Sequence, residues 1–554
     1  MKTGIFHFNG RIREFKRPPS PRPSPPGEGE SFSVSSANQT LDWSSNFPND
    51  RKRANVFPSP GGEGQGEGGC HTNFSADFFQ NSFLVIASLL LLTLTASAGN
   101  LRNVTLSISP TNSNQVAISW QAKSAVPLPG TALVPDYRLE KGSSPTSFAP
   151  VGSTITGSTG QTLRVFDPAS GGNGFYRVKA LINRANAHLD QTKLDKGELA
   201  EANFFGATFY RATMAGADLS GADLRATDLR FVDLTSANLM NARLFTADLT
   251  LAVAEFVLLD HADVSFAGLE SADLFGGSLF GADLRASIFT LADLRFVTLH
   301  QSIIDANTKF DPKWKTVWQL VNGQTTTNNF SNSDLGFADL RIANLQNMVF
   351  SNCDFSASNI SGSDVRGANF TNSNMRFVVF NNVQMDNTTI IEAKSRLIWD
   401  IINHGAVGRD LHGTNLSNGF LFQSDMRNCN LTNANLTLAV LVSANLGGAN
   451  LRNSTLTQVD FTSATLTNAL LNPASSTSAI YSGANLGNAN LQGAIMSGAD
   501  FTGAILTNAT LTSASFNSAN FTRANLFGAT TNGANFSFAV FSQTIMPDGT
   551  IKNP

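Results

Sequence analysis

GADLSGADLRATDLRFVDLTSANL, residues 216–239, places leucine at every fifth position: Leu219, Leu224, Leu229, Leu234 and Leu239. Two residues before each stands Ala217, Ala222, Thr227, Val232 or Ala237. A helix repeats at about 3.6 residues and a strand at about 2. Five is neither, so the period belongs to an architecture of short extended segments and corners. Positions i and i−2 of an extended segment share a face. Both therefore point inward, while i−1 points out.

The period holds from Leu199 to Ile304 for 22 units, from Leu335 to Ile390 for 12, and from Leu411 to Met546 for 28. Even LNPASSTSAIYSGANL keeps register, with Ala474 and Ala479 at the small position and Tyr481 at the large one. The pattern resembles the pentapeptide repeat family, whose consensus is A(D/N)LXX. That resemblance implies an all-β fold, a right-handed quadrilateral β-helix in which each pentapeptide forms one side and four make a coil. Residues twenty apart should then stack. Phe501, Phe521 and Phe541 form one expected column, and Phe516 with Phe536 another. Coils about 4.8 Å apart would give a rod about 75 Å long if they were continuous.

Two interruptions align with each other. DPKWKTVWQLVNG (311–323) and EAKSRLIWDIINHG (392–405) place Trp318 against Trp399 and Asn322 against Asn403. Trp314, Val317, Trp318 and Val321 follow the spacing of an amphipathic helix, and Pro312 suits its start. The sequence therefore predicts short helical insertions within 305–334 and 391–410. Two roles are open to them. They cap or reset a coil end, or they form a partner-binding knob through Trp314, Trp318, Trp399, Asn322 and Asn403.

The flanking segments differ. Residues 1–80 are rich in Pro, Gly and Ser, with PSPPGEGE echoed by PSPGGEGQGEGG. They read as disordered low-complexity sequence, upstream of a later translation start. Residues 81–98 carry the apolar run Phe83–Leu94 followed by Ala96-Ser97-Ala98, a signal-peptide pattern. The run starts late in the chain and lacks an immediately preceding Lys or Arg. It is short for a membrane span, which needs about 20 apolar residues. Export to the periplasm, cell surface or medium is the expectation; without processing the chain would stay in the cytoplasm. Residues 101–182 read as short alternating strands, a small β-sandwich. Trp120, Tyr137 and Tyr176 give it a resemblance to fibronectin type III domains. Residues 183–198 read as a polar linker and entry to the repeats, and 547–554 as a tail whose Pro547 and Gly549 stop strand addition.

Composition excludes several functions. Net charge is −3 and charged residues make up 14%, which points away from nucleic-acid binding. Cys70, Cys353 and Cys429 have no metal-ligand spacing. Cys353 and Cys429 fall on i−2 and read as core. Histidines 188, 261, 300, 404 and 412 are scattered, and His404 and His412 have no acidic partner arranged with them. Asp263 lies twenty residues from Asp283, and Asp273 twenty from Asp293, so the pairs should neighbour each other on the surface. Arg225, Arg230, Arg285 and Arg295 at i+1 supply compensation. No catalytic, cofactor or metal site is expected.

The favoured function is a non-enzymatic exported scaffold that meets a protein or surface polymer. An uncovered last coil invites a homodimer by end-to-end contact. The family resemblance also raises an intracellular DNA mimic that binds a type II topoisomerase. Dense negative charge would be needed, yet Asn415, Asn430, Asn435, Asn445, Asn450, Asn485 and Asn490 occupy i−1 beyond Leu411. A carbohydrate-binding β-helix is a third reading. It would need clustered carboxylates or exposed rings, and the phenylalanines are expected mostly on the inward register.

Overall fold

The computed structural model describes residues 182–553, together with the backbone of the strands between Ser107 and Leu181. The segments expected at 1–80 and 81–98 lie outside the described residues.

Seven strands precede the repeats: β1 (Ser107–Pro110), β2 (Gln115–Gln121), β3 (Asp136–Ser144), β4 (Ser147–Pro150), β5 (Ile155–Thr156), β6 (Thr162–Pro168) and β7 (Phe175–Leu181). Strand β2 lies between β1 and β6 in one antiparallel sheet. In the second sheet β3 pairs with β4, β5 and β7, all antiparallel.

From Asn183 onward the chain is a β-helix solenoid. Asp218 bridges Asn238 in parallel, Asp223 bridges Arg243, and the pattern recurs with a partner twenty residues on. Each bridge is made of two backbone bonds, such as Leu219 N–H to Asn238 C=O at 2.7 Å and Asn238 N–H to Ala217 C=O at 2.9 Å. Residues 183–198, expected as a linker, are themselves coil sides: Asn183, His188 and Lys193 bridge Asn203, Thr208 and Thr213. Their polarity disguised them, yet Leu194 is fully buried.

The period of five has a clear cause. At each corner the N–H of residue i+3 closes a turn onto the C=O of residue i, as Ala222 does onto Leu219 at 3.0 Å. Residue i+2 takes a left-handed φ, 66° at Gly221 and 55° at Ala226. Residues i and i−2 are buried: Leu219, Leu224 and Leu229, with Ala217 and Ala222, are at most 1% exposed. Burying one leucine side chain is worth about 1.5–3 kcal/mol. Repeated every five residues, that burial stabilises a chain with few helices and little long strand. Aromatic columns run through the core. Phe461, Tyr481, Phe501, Phe521 and Phe541 stack at 5.1, 4.9, 4.9 and 5.4 Å, and Phe516 stacks on Phe536 at 5.2 Å. The buried Tyr481 hydroxyl is satisfied by Ser476 Oγ at 2.7 Å.

The ladder is broken twice. Helices α1 (Pro312–Val321) and α2 (Ala393–His404) enter at the breaks. Among the described residues no bridge crosses either break, so the bridged blocks are 183–309, 329–390 and 410–545. A one-residue slip precedes each helix: Ile288 bridges Lys309 and Asn369 bridges Ile390, 21 residues on. The second slip corrects the register read from sequence. Ile390, counted as inward, is 54% exposed, and Ile391 packs against the core instead.

The chain's described end is a two-residue hairpin, β8 (Thr544–Ile545) with β9 (Ile551–Lys552). It places Lys552 Nζ 4.3 Å from the centre of the Phe541 ring.

Candidate functional site

The two helical junctions hold all five residues marked as partner-facing, and the same bonds form at both. Trp318 Nε1–H donates to Ser302 C=O at 3.0 Å, and Trp399 Nε1–H to Val383 C=O at 2.8 Å. Asn322 Nδ2 donates to Leu299 C=O and Trp318 C=O, while its Oδ1 accepts from Gln301 N–H. Asn403 repeats this with Phe380 C=O, Trp399 C=O and Asn382 N–H. Trp314 is buried against the core. Each of these groups ties its helix to the preceding coil, satisfying carbonyls that would otherwise lack a coil above them. The exposed residues of α1 are Pro312 and Lys315.

Sequence reasoning missed the residues that make the slip. Asp305 Oδ1 accepts N–H groups from Asn307, Thr308 and Ala286, and Thr308 Oγ1 donates to Leu284 C=O. Asp386 Oδ1 accepts from Thr388 N–H and Thr389 N–H, and Thr389 Oγ1 donates to Val365 C=O. The Asp305 carboxyl is held below the usual carboxylate range, first by the Ala286 N–H bond. Asp386 is held down first by the Thr388 hydroxyl. The motifs DANT and DNTT align at the same offset as the tryptophans, so the signal was present.

The acidic ladder is compensated within itself. In Asp223–Arg225, Asp228–Arg230, Asp283–Arg285, Asp293–Arg295, Asp339–Arg341, Asp364–Arg366 and Asp425–Arg427, the arginine two residues on closes back at 2.5–2.8 Å. The arginine beside each holds the Asp223, Asp228, Asp283, Asp364 and Asp425 carboxyls below the usual range. Asp263, adjacent to Asp283, accepts Ser265 N–H and Oγ–H.

The remaining candidates do little chemistry. Burial pushes the Cys429 thiol up to about 12 and raises that of Cys353, which disfavours either thiolate. His404 does have an acidic partner, contrary to the sequence reading: its Nδ1 lies 2.9 Å from Asp400 Oδ1, while Arg409 engages Asp400 Oδ2 at 2.8 Å. Among the described residues no cluster of His, Cys, Asp and Glu could hold a metal ion, and no helix is long and apolar enough to cross a membrane.

A second correction concerns the phenylalanines. Many fall on corners rather than inside. Phe205, Phe245 and Phe266 are 42%, 40% and 58% exposed. Phe256, Phe275, Phe296 and Phe337 meet edge to face along one corner at 5.5–5.8 Å.

Comparison with known proteins agrees with this architecture. The pentapeptide repeats model matches eight segments: 185–221, 214–250, 329–367, 353–390, 410–441, 434–472, 481–517 and 519–548. No curated protein matches. Among solved structures, HetL, a pentapeptide repeat protein involved in heterocyst differentiation regulation in the cyanobacterium Nostoc, is 21% identical. It covers 67% of this chain and 92% of its own, with a TM-score of 0.12. Rfr23 from the cyanobacterium Cyanothece is 24% identical over 24% of this chain and 90% of its own, TM-score 0.18. QnrB1, a plasmid-mediated fluoroquinolone resistance protein, is 17% identical over 37% and 91%, TM-score 0.19. Superpositions at these TM-scores carry no weight, so the assignment rests on the eight segments and the coil itself. The coils of this chain are pentapeptide repeats.

Proposed function

We propose that this protein is an exported, non-enzymatic scaffold whose solenoid sides serve as binding surface. The observation that carries the reading is the extent of the coil, whose bridged blocks run from residue 183 to 545 and turn the i−1 and corner positions of each repeat outward. The signal-peptide pattern at 81–98 supports export. The right-handed, four-sided winding implied by the resemblance is part of this reading, and the twenty-residue bridge spacing supports four sides. So is a fibronectin type III-like sandwich before the coils, supported by the two antiparallel sheets. A DNA mimic needs unpaired, ordered negative charge. The seven self-paired Asp-x-Arg units weigh against it, and with it against a topoisomerase partner.

Terminal-peptide mass spectrometry on fractionated cells tests the proposal. A mature start near Gly99 outside the cytoplasm is the expected result. An intact chain in the cytosol would overturn export and make a topoisomerase assay the next step.

A further inference from the structure

One side of the first block runs through Thr208, Asp228, Asp248, Gly268 and Ile288, stacked in consecutive coils. Rings border it on both edges. One edge carries Phe205, Phe245 and Phe266, all exposed, with Phe245 and Phe266 in contact at 5.3 Å. The other carries Tyr210 and Phe231 at 5.5 Å, with Arg211 over both rings. Equivalent corners of the third block hold mostly Ser, Thr, Asn and Gly.

Two physical facts bear on these rings. Phe231 and Phe266 have φ of 58° and 59°. A bulky L-residue is strained in that left-handed region, where glycine or asparagine sits at lower cost. The same φ recurs at the i+2 corners throughout the coil, at Arg211, Leu251 and Leu291 among others, so the fold itself imposes it. Second, two of the three arginines along these edges are closed on a carboxylate, and Arg211 alone has no ion pair among the described residues. Arg225 lies 5.4 Å over Phe205 while closing on Asp223, and Arg230 lies 5.6 Å over Tyr210 while closing on Asp228. A polyanion would find no unpaired guanidinium in either. Between the edges, the half-exposed Asp248 offers a hydrogen-bond acceptor, with Arg230 Nε at 3.7 Å.

We infer that this side binds a neutral, extended polysaccharide laid along the solenoid axis. Pyranose faces stack on aromatic rings, and carboxylates accept their hydroxyl protons. The solenoid repeats its surface linearly, as a polymer does. Phe205 and Phe245 are two coils apart, about 10 Å, close to the advance of two sugars in an extended β-linked chain. The inference rests on the scaffold reading and names its partner class.

The test is electrophoresis of the full chain through native gels containing hydroxyethylcellulose, mixed-linkage β-glucan or the polyanion alginate. Retardation by a neutral glucan is expected. It should fall at least fivefold in apparent affinity for the triple variant Phe205→Ala, Phe245→Ala, Phe266→Ala, and stay unchanged for Phe527→Ala on the third block. Phe266→Asn guards against misfolding of the triple variant. Asparagine suits the left-handed corner, so its melting temperature should hold or rise while retardation weakens. Retardation by alginate alone, retardation unaffected by these changes, or none in any gel would overturn the inference, as would capture of a protein partner through these rings. If the protein is exported yet unretarded, the glycan partner fails and the scaffold reading stands.

Discussion

The chain makes the same splice at two places 81 residues apart and seals the opposite side of the coil with different chemistry. On the helix side the two junctions share the bonds of Trp318 and Trp399 and of Asn322 and Asn403, and each slip closes on an aspartate, Asp305 or Asp386; Arg396 adds bonds to Asp386 C=O and Thr389 C=O at the second. One backbone bond crosses each break, Phe296 N–H to Phe337 C=O at 2.8 Å and Phe377 N–H to Asn418 C=O at 2.9 Å. Beyond it the first junction is polar. Asp339, 3% exposed, is held by Arg341 through two bonds, and Thr298 Oγ1 donates to it at 2.8 Å. His300 Nε2 meets Arg341 C=O at 2.5 Å. The second junction puts Val379 and Phe420 in the places of Thr298 and Asp339, with Phe422 stacked on Phe420 at 6.0 Å. Asn381 replaces His300, and its Oδ1 is buried with no hydrogen-bond partner among the described residues. The splice thus uses one Trp, Asn and Asp set twice, whereas the far seal is filled by different side chains at the two junctions and leaves Asn381 Oδ1 without a partner among the described residues at the second.

The largest expected effect breaks that symmetry. Arg341→Ala leaves the buried Asp339 carboxylate without its countercharge, and losing one partner of a buried pair costs about 3–5 kcal/mol. Phe420→Ala should cost a similar amount, about 3–5 kcal/mol, through a cavity instead. The discriminating variant carries the second seal at the first junction: Thr298→Val, Asp339→Phe, Arg341→Phe. Replacing a buried pair by well-packed apolar groups is often neutral, so this variant should unfold at nearly the wild-type urea midpoint while Arg341→Ala does not. If the grafted variant is as unstable as Arg341→Ala, the two seals are not interchangeable. Each block contacts only its neighbours, as in other solenoids. The loss should therefore appear first as faster amide exchange around the altered junction.

A smaller effect should be shared. Asn322→Ala and Asn403→Ala each strand two coil or helix carbonyls and one N–H. An unsatisfied buried group costs about 1–3 kcal/mol, so each variant should lose about 2–3 kcal/mol, with the two losses within about 1 kcal/mol of each other. Unequal losses would show that the splices are alike in geometry but not in energy.

The solenoid was legible because its cause is one-dimensional. Burial at i and i−2 writes Leu and Ala into the chain every five residues, and Cys353, Cys429 and Tyr481 sit in slots that the count assigns. The linker at 183–198 was misread because Asp190, Lys193 and Lys196 occupy outward and corner slots, which tolerate any polarity. The exposed phenylalanines were hidden for the same reason: a count of inward positions says nothing about what a corner presents. Ile390 was placed inside because the count assumes a constant coil length, and one extra residue at Asp386 inverts in and out beyond it. The two roles open to the junction tryptophans, capping a coil end or binding a partner, could not be separated because sequence shows an indole but not the carbonyl it meets. Only the duplication of Trp and Asn at one offset hinted that both were serving the fold.

The smallest expected effect is pH-dependent and common to both junctions. Asp305 and Asp386 have folded pKa values below their unfolded ones, because N–H and hydroxyl donors favour the ionised form. A depressed carboxylate contributes stability that is present above its unfolded pKa and is lost as pH falls through the folded value. Stability near neutral pH should therefore be flat, and a loss should develop below about pH 4, where model carboxylates titrate. Both groups are solvent-accessible, so the slope should be shallow. Asp305→Asn and Asp386→Asn keep an acceptor oxygen without the titration. Each should flatten the acid limb of a plot of urea midpoint against pH, and the double variant should flatten it further. If the junctions are energetically equivalent copies, the two single variants will shift the acid limb equally. If only Asp305→Asn shifts it, the two aspartates differ in acid response although each takes an N–H from the preceding coil, Ala286 for Asp305 at 2.9 Å and Gly367 for Asp386.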